Sequence, residues 1–235
     1  MENKTDESLN QIEQSISNTI ETYNFIAKHY ADEWVSKPDL EIVDFFITSL
    51  NKGDHILDIG CGPGHYSKIF HGKGFEVIGI DLSEGMLEQA RTRVSQNIFQ
   101  KMDMRALKFN NNSFDALWIC ASSPHIPKDF IFQALSEWKR VLKEDGILFI
   151  NAIIGNAPYR LESSVEIDEK RQVPGRFFQW YPSEEEFVSI LQKAGFSTFH
   201  IVSKIINSNV VKNASHRINY WANFYCRPEN KDIGK

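Results

Sequence analysis

Gly60, Gly62 and Gly64 follow directly on the apolar run Ile56–Ile59, and acids stand on either side of them at Asp58 and Asp81. Glycines so placed let the backbone turn tightly and let a ligand lie against it without meeting a Cβ. A helix starting at about His65 would present free N–H groups beside that turn. Asp81 follows the next apolar run, Phe75–Ile80, 21 positions past Gly60. A carboxylate at the end of a second strand suits both hydroxyls of a ribose. Together these residues imply an adenosine-containing ligand at the carboxyl ends of strands one and two.

A dinucleotide fits that description less well than a cation does. The fingerprint GxGxxG requires a third glycine where His65 stands, the glycine that lets the helix pack closely on its strand. Asp58 occupies a place that dinucleotide sites usually give to an apolar residue. An acid there opposes a pyrophosphate and suits positive charge, directly or through water. The ligand expected is therefore adenosine at one end and cationic at the other.

The elements that must hold these residues follow from periodicity. Short runs rich in Ile, Val and Phe at 55–60, 75–80, 97–102, 114–120 and 146–154 predict strands, and 64–72, 83–95 and 128–143 predict helices between them. Ser183–Glu186 is a capping box ahead of a further helix that Gly195 closes. Two last strands, about 196–206 and 217–226, have no helix between them and should be antiparallel. The expected fold is α/β: a doubly wound, mostly parallel seven-stranded sheet with the last strand antiparallel and helices on both faces. Residues 1–50 read as a helical cap or lid, frayed over residues 1–8 and divided near Pro38, which suits a first helical turn. Residues 51–228 form the ligand-binding domain. The polar, Pro- and Gly-containing insert 155–182 breaks the rhythm and is expected to cap an acceptor site.

Composition narrows the class. The chain has 235 residues, 42% hydrophobic and 24% charged, with a net charge of −5. A general cationic surface for nucleic acid is absent, although 199–235 carries 6 Lys/Arg against 2 Asp/Glu. No run of about 18 apolar residues suggests a membrane span, and no leader is evident at the start. Cys61, Cys120 and Cys226 form no CxxC pair, which points to a reduced, cytoplasmic protein. His29, His55, His71, His200 and His216 make no metal-binding array, so no metal is expected.

The run Asp58–Gly64 resembles motif I of the class I S-adenosylmethionine-dependent methyltransferases, in the branch acting mostly on small molecules. Asp81 resembles their ribose-binding acid and Asp103–Met104 their adenine-contacting position. Phe114–His125 is similar to the strand-four motif, and Leu142–Ile147 to the turn before strand five, with Glu144 and Asp145 where proline and glycine are usual. Tyr23, Ile26, Ala27 and Tyr30 resemble an N-terminal motif of that branch. The segments 176–181 and 221–228 also match, so the likeness spans about 20–227. It implies S-adenosylmethionine as cofactor, S-adenosylhomocysteine as product, and a small-molecule acceptor methylated on O or N. Cofactor contacts are expected from Tyr23, Tyr30, Asp58, Gly60, Cys61, Gly62, Gly64, Asp81, Leu82, Met86, Asp103, Met104 and Cys120. For Met86 and Met104 the alternative is plain core packing. Cys61 has no covalent role in this reading.

His125 is the one acid–base candidate near the end of strand four; its alternative is to shape the loop. In the insert, Tyr159, Arg160, Arg176, Phe177, Trp180 and Tyr181 would suit an acceptor with a flat or apolar body and an anionic group; a solvated loop is the other reading. A monomer or homodimer is expected. Competing functions are an RNA or protein methyltransferase of the same fold, a non-catalytic binder of the cofactor, and, least favoured, a nicotinamide dehydrogenase.

Overall fold

A computed structural model of the chain describes residues 3–34, 38–94, 98–155, 160–162, 175–205 and 220–229. The runs of β-branched and aromatic residues become strands because alternate side chains can be buried on both sheet faces. The first strands are β1 (His55–Ile59), β2 (Glu76–Asp81), β3 (Phe99–Lys101) and β4 (Phe114–Ile119). They are followed by β5 (Leu142–Ile154), β6 (Arg160–Glu162), β7 (Arg176–Phe178), β8 (Trp180–Tyr181), β9 (Phe196–Ile205) and β10 (Tyr220–Pro228). The helices are α1 (Asn3–Trp34), α2 (Leu40–Ile47), α3 (His65–Gly72), α4 (Glu84–Arg93), α5 (Ile131–Val141) and α6 (Glu184–Lys193).

Seven strands lie in the order β3-β2-β1-β4-β5-β10-β9, and β8 pairs with β5 off that path. The β1–β2, β2–β3, β1–β4 and β4–β5 pairs are parallel, whereas β10 is antiparallel to both β5 and β9. β10 is thus the one reversed strand of the seven. Beyond Ile150, where its pairing with β4 ends, β5 pairs through Ile153 and Ile154 with β8. β6 and β7 make a separate antiparallel pair.

One core cluster joins α5 and α6 to the sheet through Trp138, Leu135, Phe187 and Phe224. The other joins α2 and α3 to the opposite face through Phe46, Phe70, Trp118 and Phe149. Ser83 and Ser183 cap α4 and α6 by accepting from the amides of Met86 and Glu186, as short side-chain acceptors do at helix starts.

Several boundaries differ from the sequence expectation. α1 is helical from Asn3. Pro38 precedes the N-cap Asp39 and lies outside the first turn of α2. A short 3₁₀ turn, Lys128–Phe130, occupies the expected start of α5, and another, Ser123–His125, precedes it. β5 begins at Leu142, because the Phe114–Leu142 and Ala116–Ile147 pairs enclose a bulge that absorbs the turn before strand five. Tyr159 lies outside the described residues, and Arg160 is described as a backbone position paired with Phe178.

Candidate functional site

The carboxyl ends of β1, β2 and β4 open into a cavity of about 760 Å³ roofed by α1. Asp58 ends up there because it is the fourth residue of a five-residue strand; it is only 2% exposed and accepts a 2.6 Å hydrogen bond from Ser67 Oγ of α3. Burial, opposed by the Ser67 bond, pushes its carboxyl up to about 7. Asp81 accepts from Gly62 N at 2.9 Å and from Ser83 N at 2.8 Å, and burial raises its pKa too. No cation offsets either acid among the described residues. A buried and a half-buried carboxyl group without a counter-charge oppose phosphate and favour a cation.

The glycines between them do separate jobs. Gly62 has φ +52° and open space where a Cβ would stand, so the turn leaves room for a ligand at that point. Gly64 has φ +78°, and a Cβ on it would meet Ala90 Cβ and Phe99 Cζ at 2.9 Å. It supplies the close packing of helix start on sheet that His65 seemed to forbid. Cys61 packs with Leu87, Ala90, Val94 and Phe99, and burial raises its thiol well above the usual range. A thiol so held is a poor nucleophile.

Asp103 makes a charge-assisted fork with Arg105, whose Nη2 donates to Oδ2 at 2.8 Å while its backbone N donates to Oδ1. Arg105 also reaches Glu13 of α1 at 3.0 Å. Arg105 Nε is shared between both oxygens, so three of its N–H groups point at a carboxylate with about four acceptor positions, and one position is left for a further donor.

α1 is fastened over the cavity by polar bonds. Asn24 Oδ1 accepts from Ser83 Oγ at 2.8 Å and from Gly85 N at 2.9 Å. A Cβ on Gly85 would meet Asn24 O at 2.8 Å, so α1 and α4 touch through backbone. Thr19 Oγ1 accepts from Phe177 N at 2.8 Å. Tyr23 OH lies 2.7 Å from His125 Nε2, and His125 Nδ1 lies 2.7 Å from Phe177 O. A carbonyl can only accept, so Nδ1 carries the proton and Nε2 accepts from Tyr23. Burial lowers the His125 pKa to about 4, which keeps the ring neutral. Arg176 lies over the rings of Tyr23 and Phe178 at 5.5 and 5.4 Å.

Residues 57–150 match the family described as "Methyltransferase domain". That match covers 94 of the 235 residues, and over this segment the chain is similar to methyltransferase domains. A Bacillus subtilis protein, YqeM, is 40% identical over 108 residues, 44% of each chain. The 2-methyl-6-phytyl-1,4-hydroquinone methyltransferase of Synechocystis is 33% identical over 135 residues, 52% of this chain and 42% of its own. The chain therefore spans less than half the length of these curated relatives. A solved structure of Burkholderia thailandensis 1,6-didemethyltoxoflavin-N1-methyltransferase superposes with a TM-score of 0.68 at 17% identity, covering 91% of this chain and 88% of that one. Its likeness is one of fold.

Beneath the α1 roof, the cavity brings together Tyr23, Tyr30, Asp58, Gly60, Cys61, Gly62, Asp81, Leu82, Met86, Asp103, Met104, Cys120, His125 and Arg176. Gly64 lies behind it. Phe177 and Tyr181, expected in the acceptor site, also lie outside its lining, whereas Trp180, likewise expected, lies in it together with Phe178. Strand alternation is the reason: Tyr181 pairs with Ile154, faces the α6 side and packs on Phe187. The sequence reading passed over Thr19, Asn24 and Ser67, whose partners are 9 to 158 positions away. It also passed over the cavity floor of Asn151, Ile153, Trp221 and Asn223. Among the described residues no group of three or more His, Cys, Asp or Glu could hold a metal. No helix among them is long and apolar enough to cross a membrane.

Proposed function

We propose that this chain moves a methyl group from S-adenosylmethionine to an O or N atom of a small-molecule acceptor. The observation that carries the reading is the pair Asp58, buried, and Asp81, half-buried, beside the glycine turn and without a compensating cation among the described residues. That donor set fits a ribose joined to a positively charged sulfur and amino acid, and the open space at Gly62 gives it room. Asp81 would hold the ribose, Asp103 the exocyclic amine of adenine, and Asp58 the cationic end, with Leu82, Met86 and Met104 beside the base. When bound, S-adenosylmethionine supplies an electrophilic methyl on a sulfonium, which passes to the acceptor's lone pair by in-line displacement.

The chain's own residues act mainly by alignment. A histidine held down at about 4 is neutral but a weak base, so His125 is poorly matched to an unactivated hydroxyl. Its geometry suits positioning: the imidazole fixes Tyr23, and with it the roof, over the reacting end of the cavity. Tyr23, Tyr30 and α1 exclude water there, and holding nucleophile and electrophile in line accounts for most of the acceleration.

Calorimetric titration with S-adenosylmethionine and S-adenosylhomocysteine, with NADH as control, tests the reading. Binding of the first two and none of NADH is expected. Binding of NADH alone would overturn it.

A further inference from the structure

The cavity is also lined by residues of β5, β8, β9 and β10, and this part of it has a floor set by sheet register. Ile153 of β5 pairs with Trp180 of β8 on one side and Trp221 of β10 on the other, and Trp221 pairs in turn with Lys204 of β9. Paired residues share a face, so Trp180, Ile153, Trp221 and Lys204 form one row across four strands. Two residues back along β5, the next row on that face is Asn151 and Asn223, which also pair. All six line the cavity. From Trp180 to Trp221 is two interstrand steps, about 10 Å, enough for a fused two-ring plane.

The polar groups of this floor are sorted by their bonds. Asn151 is committed, accepting from Ala121 N at 2.8 Å and donating to Cys120 Sγ at 3.5 Å. Asn223 is 3% exposed and donates from Nδ2 to Val202 O at 3.0 Å. That bond fixes the amide's orientation and leaves Oδ1 as an acceptor with no partner among the described residues. Neither Trp180 nor Trp221 has a hydrogen bond from its indole N–H to a described residue. Lys204 is neutralised by Asp39 and Glu41 of the α2 segment. The row thus offers two flat rings, donors and one acceptor, and its one cation is already paired with two acids.

We propose that this part is the acceptor slot and that it takes an uncharged fused-ring heteroaromatic, lying along Trp180–Ile153–Trp221 with a ring N–H donating to Asn223 Oδ1. The assignment rests on the methyl-transfer reading of the cavity's other end. An anionic aromatic held by Arg176 is the competing occupant.

The test is calorimetry on the full chain, first with S-adenosylhomocysteine and then, at saturation, with lumazine (pteridine-2,4-dione) or 2-naphthoate. Lumazine should bind at least about tenfold tighter than 2-naphthoate. Trp221→Leu and Asn223→Ser should each weaken lumazine by about tenfold, the scale of one buried hydrogen bond or ring contact. Both should leave S-adenosylhomocysteine affinity within about twofold, which also reports an intact fold. Tight S-adenosylhomocysteine with no lumazine binding, lumazine affinity indifferent to both substitutions, or preference for 2-naphthoate overturns the slot. Failure of S-adenosylhomocysteine itself to bind overturns the underlying reading instead.

Discussion

Lowering the pH should release the cationic ligand through Asp58. With its carboxyl pushed up to about 7 in the ligand-free protein, Asp58 is about nine-tenths protonated at pH 6 and about one-tenth at pH 8. A cation binds the ionised form, so the contribution of this one residue to affinity falls about tenfold from pH 8 to pH 6, near 1.4 kcal/mol. The same linkage sets a stability effect of definite sign. The folded pKa lies above the unfolded value of 3.8, so stability from this group is full below about 4 and lost as pH rises through about 7. The assay is calorimetric titration with S-adenosylmethionine at several pH values, each in buffers of differing ionisation enthalpy, for wild type and Asp58→Asn. The asparagine still accepts from Ser67 and does not titrate, and the ligand's own ammonium titrates equally in both. Wild type should release about 0.9 more proton than the variant on binding at pH 6. Equal proton release, or parallel pH dependence of the two affinities, would refute the argument that Asp58 faces the cation.

Asp81→Ala should weaken S-adenosylhomocysteine by roughly 1.5–3 kcal/mol in the same titration, the scale of hydrogen bonds to a charged group. It should also loosen the turn, since Gly62 N and Ser83 N lose their acceptor. Gly64→Ala should cost about 1–3 kcal/mol in urea unfolding, because its Cβ enters Ala90 and Phe99 at a positive φ. His125→Ala should lower kcat by less than about tenfold and leave kcat level between pH 6 and 8; a loss of about a hundredfold or more would restore it as a base. Asn24→Ala, which strips Ser83 and Gly85 of a shared acceptor, should speed hydrogen exchange across α1 while that of β1 and β4 is unchanged.

The strand–helix rhythm was legible because each strand here is a short apolar run and each helix has one buried side. Motif I was legible because its residues are consecutive. Contacts that join distant segments left no local trace: Tyr23 and His125 are 102 positions apart, and Thr19 and Phe177 are 158 apart. Parity misled in the insert. Arg176–Tyr181 has aromatics at 177, 178, 180 and 181, so composition alone cannot tell which pair faces inward, and register put Phe178 and Trp180 there. The floor was hidden for a related reason. Asn223 and Trp221 alternate with Ala222 and Phe224 as polar or bulky residues on an outer face would; only the roof of α1 and α2 turns that face into a lining.

β10 follows every other strand in the chain yet lies between β5 and β9. As the polypeptide emerges from the ribosome, β5 therefore waits with an open edge while more than sixty residues are added, its segment Ile147–Ile154 buried in the finished protein. An unpaired apolar edge of this kind is where chains associate wrongly. The slot that Asn223 and Trp221 complete is consequently among the last parts to exist, whereas α1, made first, gains its anchors in turn at Ser83 and Gly85, at Arg105 and His125, and then at Phe177. A nascent chain interrupted before Tyr220 would carry the glycine turn and its acids intact while lacking the inner strand that holds the sheet shut.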